Sequence, residues 1–126
     1  MRFLGIELLD AQTGWVSMKL SYRTELTHPG SMHGGAIYAL ADSAAAHAVM
    51  TMTLPKQLAA TVEQRINFFR PVRGQDIFAE AKVVHAGKTL AYCEVTVAFA
   101  DGTMVAKSAA TLMRVDFVKT QSSETT

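Results

Sequence analysis

Residues 33–50 read HGGAIYALADSAAAHAVM, and this stretch decides the fold. After its two glycines it consists almost wholly of small and aliphatic residues, and it predicts a helix from about Gly34 to about Met50, closed before Pro55. The helix is apolar on all sides, which is typical of a buried helix. One carboxylate, Asp42, interrupts it, although aspartate is a poor helix former and is costly in apolar surroundings.

Strand patterns lie on both sides of this helix. Before it, two short segments flank a turn at residues 12–14, and the second alternates apolar and polar residues with the period of a half-buried strand. After it, further alternating segments follow, with a hairpin signal at Asp101-Gly102. We therefore expect an α+β fold, an antiparallel sheet of five to six strands wrapped around one long central helix. The expected strands cover 6–11, 15–23, 59–69, 77–85, 90–100 and 103–115.

The composition bounds the classes of function. The 126 residues are enough for one domain, which we assign to residues 1–118, with a polar C-terminal tail at 119–126. A net charge of +1 gives no attraction to nucleic acid or to an anionic membrane, and no apolar run reaches the length of a membrane span. The first residues lack the pattern of a signal peptide, so we expect a cytoplasmic protein. With 1 cysteine, Cys93, there is no internal disulfide and no thiolate metal site.

The predicted helix start and Asp42 raise the question of a shared site. Backbone N–H groups at Gly34 and Gly35 are among those a helix leaves unpaired, and they can polarise an anion or a developing oxyanion. Asp42 follows Gly35 by seven residues, on nearly the same helix face but about 10 Å further along the axis. Groups so far apart cannot touch one reacting carbon, so cooperation between them would require a site at a dimer interface. Alternatively, the glycines only permit a tight turn, and Asp42 only pairs with a charged residue of a partner.

The segment HGGAIYALAD carries a resemblance to a known family. Preceded by PGSM at 29–32 and followed by NFFRP at 67–71, it resembles the hotdog-fold acyl-CoA thioesterases, within them the phenylacetyl-CoA thioesterase-like branch. The resemblance implies hydrolysis of a thioester to free CoA and a carboxylic acid, without a metal or a redox cofactor. It also implies sites between two subunits, in a homodimer or in a homotetramer formed from two dimers.

The resemblance assigns roles to individual residues. Asp42 matches the catalytic carboxylate, which acts as general base or as nucleophile. Gly34 matches the glycine whose N–H polarises the thioester carbonyl, and His33 matches the histidine that orders this loop. Thr61 matches a Ser or Thr that positions the water or the carboxylate.

One position departs from the family pattern. The asparagine that usually lies six residues before the histidine is replaced by Thr27, so the second hydrogen bond to the carbonyl has no evident donor unless neighbouring His28 supplies it. The remaining substrate contacts are expected from Gly35, Tyr38, Arg70, Arg73 and Lys88, the last three facing the phosphates of CoA.

These residues favour an acyl-CoA thioesterase acting on an aryl or medium-chain acyl group. The alternative is a non-catalytic hotdog protein that binds or senses acyl-CoA, which the missing asparagine leaves open. A third interpretation, a hotdog hydratase or dehydratase, has no matching motif. No nucleic-acid or membrane partner is expected.

Overall fold

The fold is a long helix packed against one antiparallel sheet. The computed structural model of the protein describes residues 4–116. The 20-residue helix α1 (Gly34–Thr53) contacts six strands, which form one sheet with the order β1-β2-β6-β7-β8-β5. The strands are β1 (Ile6–Gln12), β2 (Trp15–Leu20), β3 (Thr27–His28), β4 (Ser31–Met32), β5 (Gln57–Phe68), β6 (Ile77–Ala86), β7 (Leu90–Ala98) and β8 (Met104–Asp116). This confirms the predicted hotdog α+β architecture.

The differences from the sequence prediction lie at the ends of elements and in one loop. The helix runs three residues further than expected, to Thr53. The segment 24–32, for which the Pro29-Gly30 pair predicts a loop, contains a short 3-10 turn and the two-residue strands β3 and β4, which pair with each other. The predicted tail at 119–126 and the proposed boundary at residue 118 lie outside the described residues.

A row of alanines lets the helix lie close to the sheet. Four alanines are completely buried between the helix and the sheet: Ala41, Ala44, Ala45 and Ala48. Because each side chain is a single methyl group, the helix backbone lies close to the strands below. The prediction that the helix is buried on all sides is only partly confirmed. In the single chain, Tyr38 remains 38% exposed on the uncovered side.

Strand β5 lies at one edge of the sheet and contains a β-bulge. Thr61 pairs with Leu112 and Glu63 pairs with Thr111, so Val62 has no partner of its own. The extra residue shifts the alternation of inward and outward side chains by one position. In the sequence, Val62, Ile66 and Phe68 alternate with polar residues, which predicts Val62 on the buried face. Because of the bulge Val62 is instead 57% exposed, and Thr61 faces the helix.

No helix within residues 4–116 is long and apolar enough to cross a membrane. The cysteine, Cys93, lies in the core on β7, where its thiol is 3.7 Å from the carbonyl oxygen of Ala45. Burial raises the pKa of the Cys93 thiol to about 12, because the thiolate would lose its hydration.

We expect Cys93 to be inert toward Ellman's reagent in the folded protein at pH 8, since the thiol is both protonated and inaccessible. Labelling should become complete only in denaturing guanidinium chloride, measured as absorbance of the released thionitrobenzoate. Rapid stoichiometric labelling of the native protein would contradict this. The folded protein should therefore add almost no background to assays of thiol release.

Candidate functional site

The start of α1 is held by backbone hydrogen bonds from two separate segments. The N–H of Met32 donates to the carbonyl of Val72 at 2.8 Å, and the N–H of His33 donates to the carbonyl of Leu26 at 2.8 Å. These bonds attach the residues before the helix to the 3-10 turn on one side and to the loop after β5 on the other. The position and direction of the helix start are thereby fixed.

The first two N–H groups of the helix are available for a ligand. His33 is the N-cap residue and its side chain makes no capping hydrogen bond. Within residues 4–116, the N–H groups of Gly34 and Gly35 have no hydrogen-bond partner, and both residues are exposed. A helix start of this kind carries partial positive charge and can stabilise negative charge on an oxygen atom.

Two turns further along the helix, Asp42 is held by Thr61. The hydroxyl of Thr61 donates to Oδ1 of Asp42 at 2.7 Å. The bulge at Val62 is what turns Thr61 toward the helix, as bulges commonly do beside functional sites. The structure thus brings together two residues that the sequence placed in one site, and it leaves Asp42 half-buried.

The helix start and the carboxylate are not brought together within one chain. Eight residues separate Gly34 from Asp42 in a continuous helix, which corresponds to about 12 Å along the axis. Tyr38 lies midway between them on the same uncovered side. A single chain therefore presents two halves of a site, a donor at one level and a carboxylate at another.

Thr27 does not offer a second donor near the helix start. Its hydroxyl already donates to the carbonyl oxygen of Thr24 at 2.7 Å. His28 lies beside His33, with 4.9 Å between the ring centroids, and its Nδ1 is 3.1 Å from the carbonyl oxygen of Pro29. The proton that Thr27 could give to a substrate is thus used within the protein.

A cleft of about 310 Å³ opens beside the helix start. Phe68 covers Gly34: three ring atoms lie 3.4–3.8 Å from the position that a Cβ on Gly34 would take. The walls of the cleft are mostly apolar, a property shared by most small-molecule sites. The lining residues are Ser31, Met32, Gly34, Ile37, Phe68, Phe69, Arg70, Pro71 and Val72.

The basic residues expected at the substrate entrance lie at two ends of the molecule. Arg70 is beside the cleft, where its guanidinium donates to the carbonyl of Met104 at 2.6 Å. Nearby, Nε of Arg73 donates to the carbonyl of Gly30 at 2.6 Å. Lys88 is exposed in the turn between β6 and β7, at the other end of the sheet. No group of three or more metal-ligating side chains occurs in the described part of the chain.

One polar residue beside the site was missed by sequence reasoning. Both amide atoms of Gln64, on β5, are buried without a hydrogen-bond partner in the structure of residues 4–116. Its position alternates with Ile66 and Phe68, which the sequence pattern assigns to the inner face. A carboxamide at an apolar position of that pattern was the signal that could have found it.

The comparisons with known proteins agree with this geometry. Residues 29–106 match the family model described as the Thioesterase superfamily. A protein of Halobacterium salinarum named as a suspected esterase is 36% identical over 104 residues, covering 77% of this chain and 68% of the relative.

Solved structures agree as well. A thioesterase family protein from Silicibacter pomeroyi is 31% identical with a TM-score of 0.87, covering 93% of this chain and 89% of the other. A mutant form of the phenylacetic acid degradation protein PaaI from Thermus thermophilus is 32% identical with a TM-score of 0.83, covering 91% of this chain and 97% of the other. The resemblance that the HGGAIYALAD segment carries is confirmed, and the chain belongs to the Thioesterase superfamily, as a hydrolase with the hotdog fold.

Proposed function

We propose that this protein is an acyl-CoA thioesterase in which Asp42 of one copy and the Gly34 N–H of a second copy form one active site. The observation that carries the proposal is the pairing of an unoccupied N–H donor at the helix start with a half-buried carboxylate held by Thr61. These are the two groups that thioester hydrolysis requires, and one chain holds them about 12 Å apart.

The chemistry follows from the roles of these two groups. The Gly34 N–H donates to the thioester carbonyl oxygen and stabilises the negative charge that develops there. Asp42 either takes a proton from an attacking water or attacks the carbonyl carbon itself. In both cases the C–S bond breaks and CoA leaves. Attack by water gives the carboxylic acid directly, whereas attack by Asp42 gives an acyl–Asp42 anhydride that water then hydrolyses to the same acid.

The edge strand β5 supports a dimer that completes the site. It is a 12-residue edge strand with exposed apolar side chains at Leu58 and Val62. A long, apolar edge of this kind readily pairs with another strand. The opposite edge strand, β1, has only 7 residues and therefore offers a shorter surface for pairing.

A single two-fold axis can relate both the helix and strand β5 to their counterparts in the second copy. On the helix, the midpoint between Gly34 and Asp42 is Tyr38. On β5, the midpoint between Phe68, which covers Gly34, and Thr61, which binds Asp42, lies at residues 64 and 65. An axis near these midpoints brings the helix start of each copy beside Asp42 of the other.

The cleft and the basic residues support an acyl-CoA substrate. A volume of about 310 Å³ with mostly apolar walls suits an aromatic ring or a medium-length chain. In the proposed dimer, Lys88 of one copy lies toward the Arg70 and Arg73 end of the other, so that three cations face the CoA phosphates. The PaaI relative, which by name takes part in phenylacetic acid degradation, supports the aryl group.

A second candidate is a protein that binds or senses acyl-CoA without hydrolysing it. The observation in its favour is the hydroxyl of Thr27, which is committed to Thr24 and leaves the carbonyl with one evident donor. Hydrolysis is distinguished from binding by the release of free thiol.

The substitution Asp42→Asn tests the carboxylate. It keeps the shape of the side chain and an acceptor for Thr61, but it removes the base, so we expect kcat to fall by about a hundredfold or more. The measurement is thiol release from a panel of aryl- and alkyl-CoA thioesters on wild type and variant together. Equal turnover in both proteins would exclude Asp42, whereas CoA esters that bind without turnover in the wild type would establish the second candidate.

Gly34→Pro removes the proposed donor itself. Proline is tolerated at the first position of a helix, and His33 with ψ of 136° already has the backbone conformation favoured before proline. We expect a folded protein whose kcat is lower by about a hundredfold. Gly34→Ala is the matched control, because it also meets the Phe68 ring but keeps the N–H. Equal loss in the two variants would assign the effect to crowding of the cleft.

Mixed dimers test whether the site is shared. When Asp42→Asn and Gly34→Pro chains are co-expressed with different tags and purified through both, each dimer contains one intact composite site. We expect about half of the wild-type activity, although each variant alone is nearly inactive. Mixed dimers as inactive as the two parents would place the site within one chain.

A further inference from the structure

The Gln64 carboxamide is a buried polar group without a partner. Both Oε1 and Nε2 are buried, and neither has a hydrogen bond within residues 4–116. Leaving such a group unpaired costs folding free energy, and an apolar side chain of similar size would avoid that cost. Buried groups of this kind are commonly satisfied by an internal water molecule.

The register of β5 places Gln64 next to the carboxylate half of the proposed site. Thr61 pairs with Leu112 and Gln64 pairs with Ala110, both of which are buried on the helix side of β8. Side chains of paired residues share a face, so Thr61 and Gln64 both face the helix. Because the bulge absorbs one residue, they are consecutive inward positions, about 7 Å apart along the strand.

One carboxylate oxygen of Asp42 also lacks a hydrogen-bond partner within residues 4–116. Oδ1 accepts from Thr61, whereas Oδ2 has no partner among the described residues. A water between Oδ2 and the Gln64 carboxamide would make hydrogen bonds to both, and two such bonds span a gap of about 6 Å. The buried Gln64 amide therefore lies one inward position along β5 from Thr61, the residue that holds Asp42.

We propose that Gln64 is a positioning residue that holds the hydrolytic water against Asp42. This rests on the proposed thioesterase function and selects attack by water over attack by Asp42. The water donates one hydrogen to Oε1 of Gln64 and the other to Oδ2 of Asp42, which leaves a lone pair on its oxygen for the carbonyl carbon.

The electron and proton balance closes without a further reactant. As the water oxygen bonds to the carbonyl carbon, its proton moves to Asp42 and the carbonyl electron pair moves to the oxygen held by the Gly34 N–H of the second copy. The C–S bond then breaks, and the thiolate leaves and takes the proton from Asp42. The products are the carboxylic acid and CoA, with Asp42 again ionised.

The test is Gln64→Leu, with Gln57→Leu as matched control. Gln57 lies at the other end of β5, where its amide donates to the Asp116 carboxylate on the surface at 3.0 Å. We expect Gln64→Leu to raise Tm by about 3 °C, since it removes a buried unpaired amide. At the same time kcat should fall by about tenfold or more with KM unchanged. Gln57→Leu should not raise Tm and should leave kcat unchanged.

Isotope transfer provides a second readout. In a single turnover of wild-type protein in H₂¹⁸O, the label should enter the released acid and not the Asp42 side chain, as measured by mass spectrometry of product and of the Asp42 peptide. Label in Asp42 would overturn the proposal. So would a Gln64→Leu variant with wild-type kcat, or one whose loss of activity follows from loss of the dimer in sedimentation.

Failure of the inference is distinguishable from failure of the proposed function. Turnover that depends on Asp42 but not on Gln64 overturns only the role of Gln64. Wild-type protein that turns over none of the thioesters overturns both.

Discussion

The hydrogen bond from Thr61 to Asp42 is the contact on which the candidate site depends. It joins the middle of the helix to the edge strand, and it fixes a carboxylate that would otherwise be free to rotate into solvent. It forms only because the fully buried alanines allow the helix to lie close to the sheet and because the bulge directs Thr61 inward. The position of the Asp42 carboxylate therefore depends both on the packing of the helix against the sheet and on the hydrogen bond from Thr61.

The regular geometry of the helix imposes a second constraint. A rise of about 1.5 Å per residue holds the N–H groups at its start away from Asp42, whatever the side chains between them. A single chain leaves two surfaces uncovered. They are the side of the helix on which Tyr38 is exposed and the unpaired edge of β5. In the proposed dimer one contact covers both surfaces, so that assembly and completion of the site are the same event.

The sequence predicted the helix, the six main strands and the Asp42–Thr61 pairing because each rests on local periodicity or on a family motif. It did not predict the bulge, since its alternation of apolar and polar residues reads as one uninterrupted strand with Val62 inside. Nor could it show that the Thr27 hydroxyl bonds to Thr24, which depends on the turn preceding it. The unpaired state of the Gln64 amide is likewise a property of the packed structure, because it depends on what surrounds the side chain.

The bulge at Val62 also divides β5 into two segments of opposite phase. Residues up to Thr61 and residues from Glu63 onward each alternate regularly, but an even-numbered residue faces outward in the first segment and inward in the second. If Val62 were instead a regular, paired residue of a continuous strand, Thr61 and every residue before it would turn to the opposite face, and Thr61 would point away from the helix. An alignment of related edge strands by hydrophobic pattern alone would ignore the bulge. It would therefore be shifted by one residue throughout the segment of β5 before Val62.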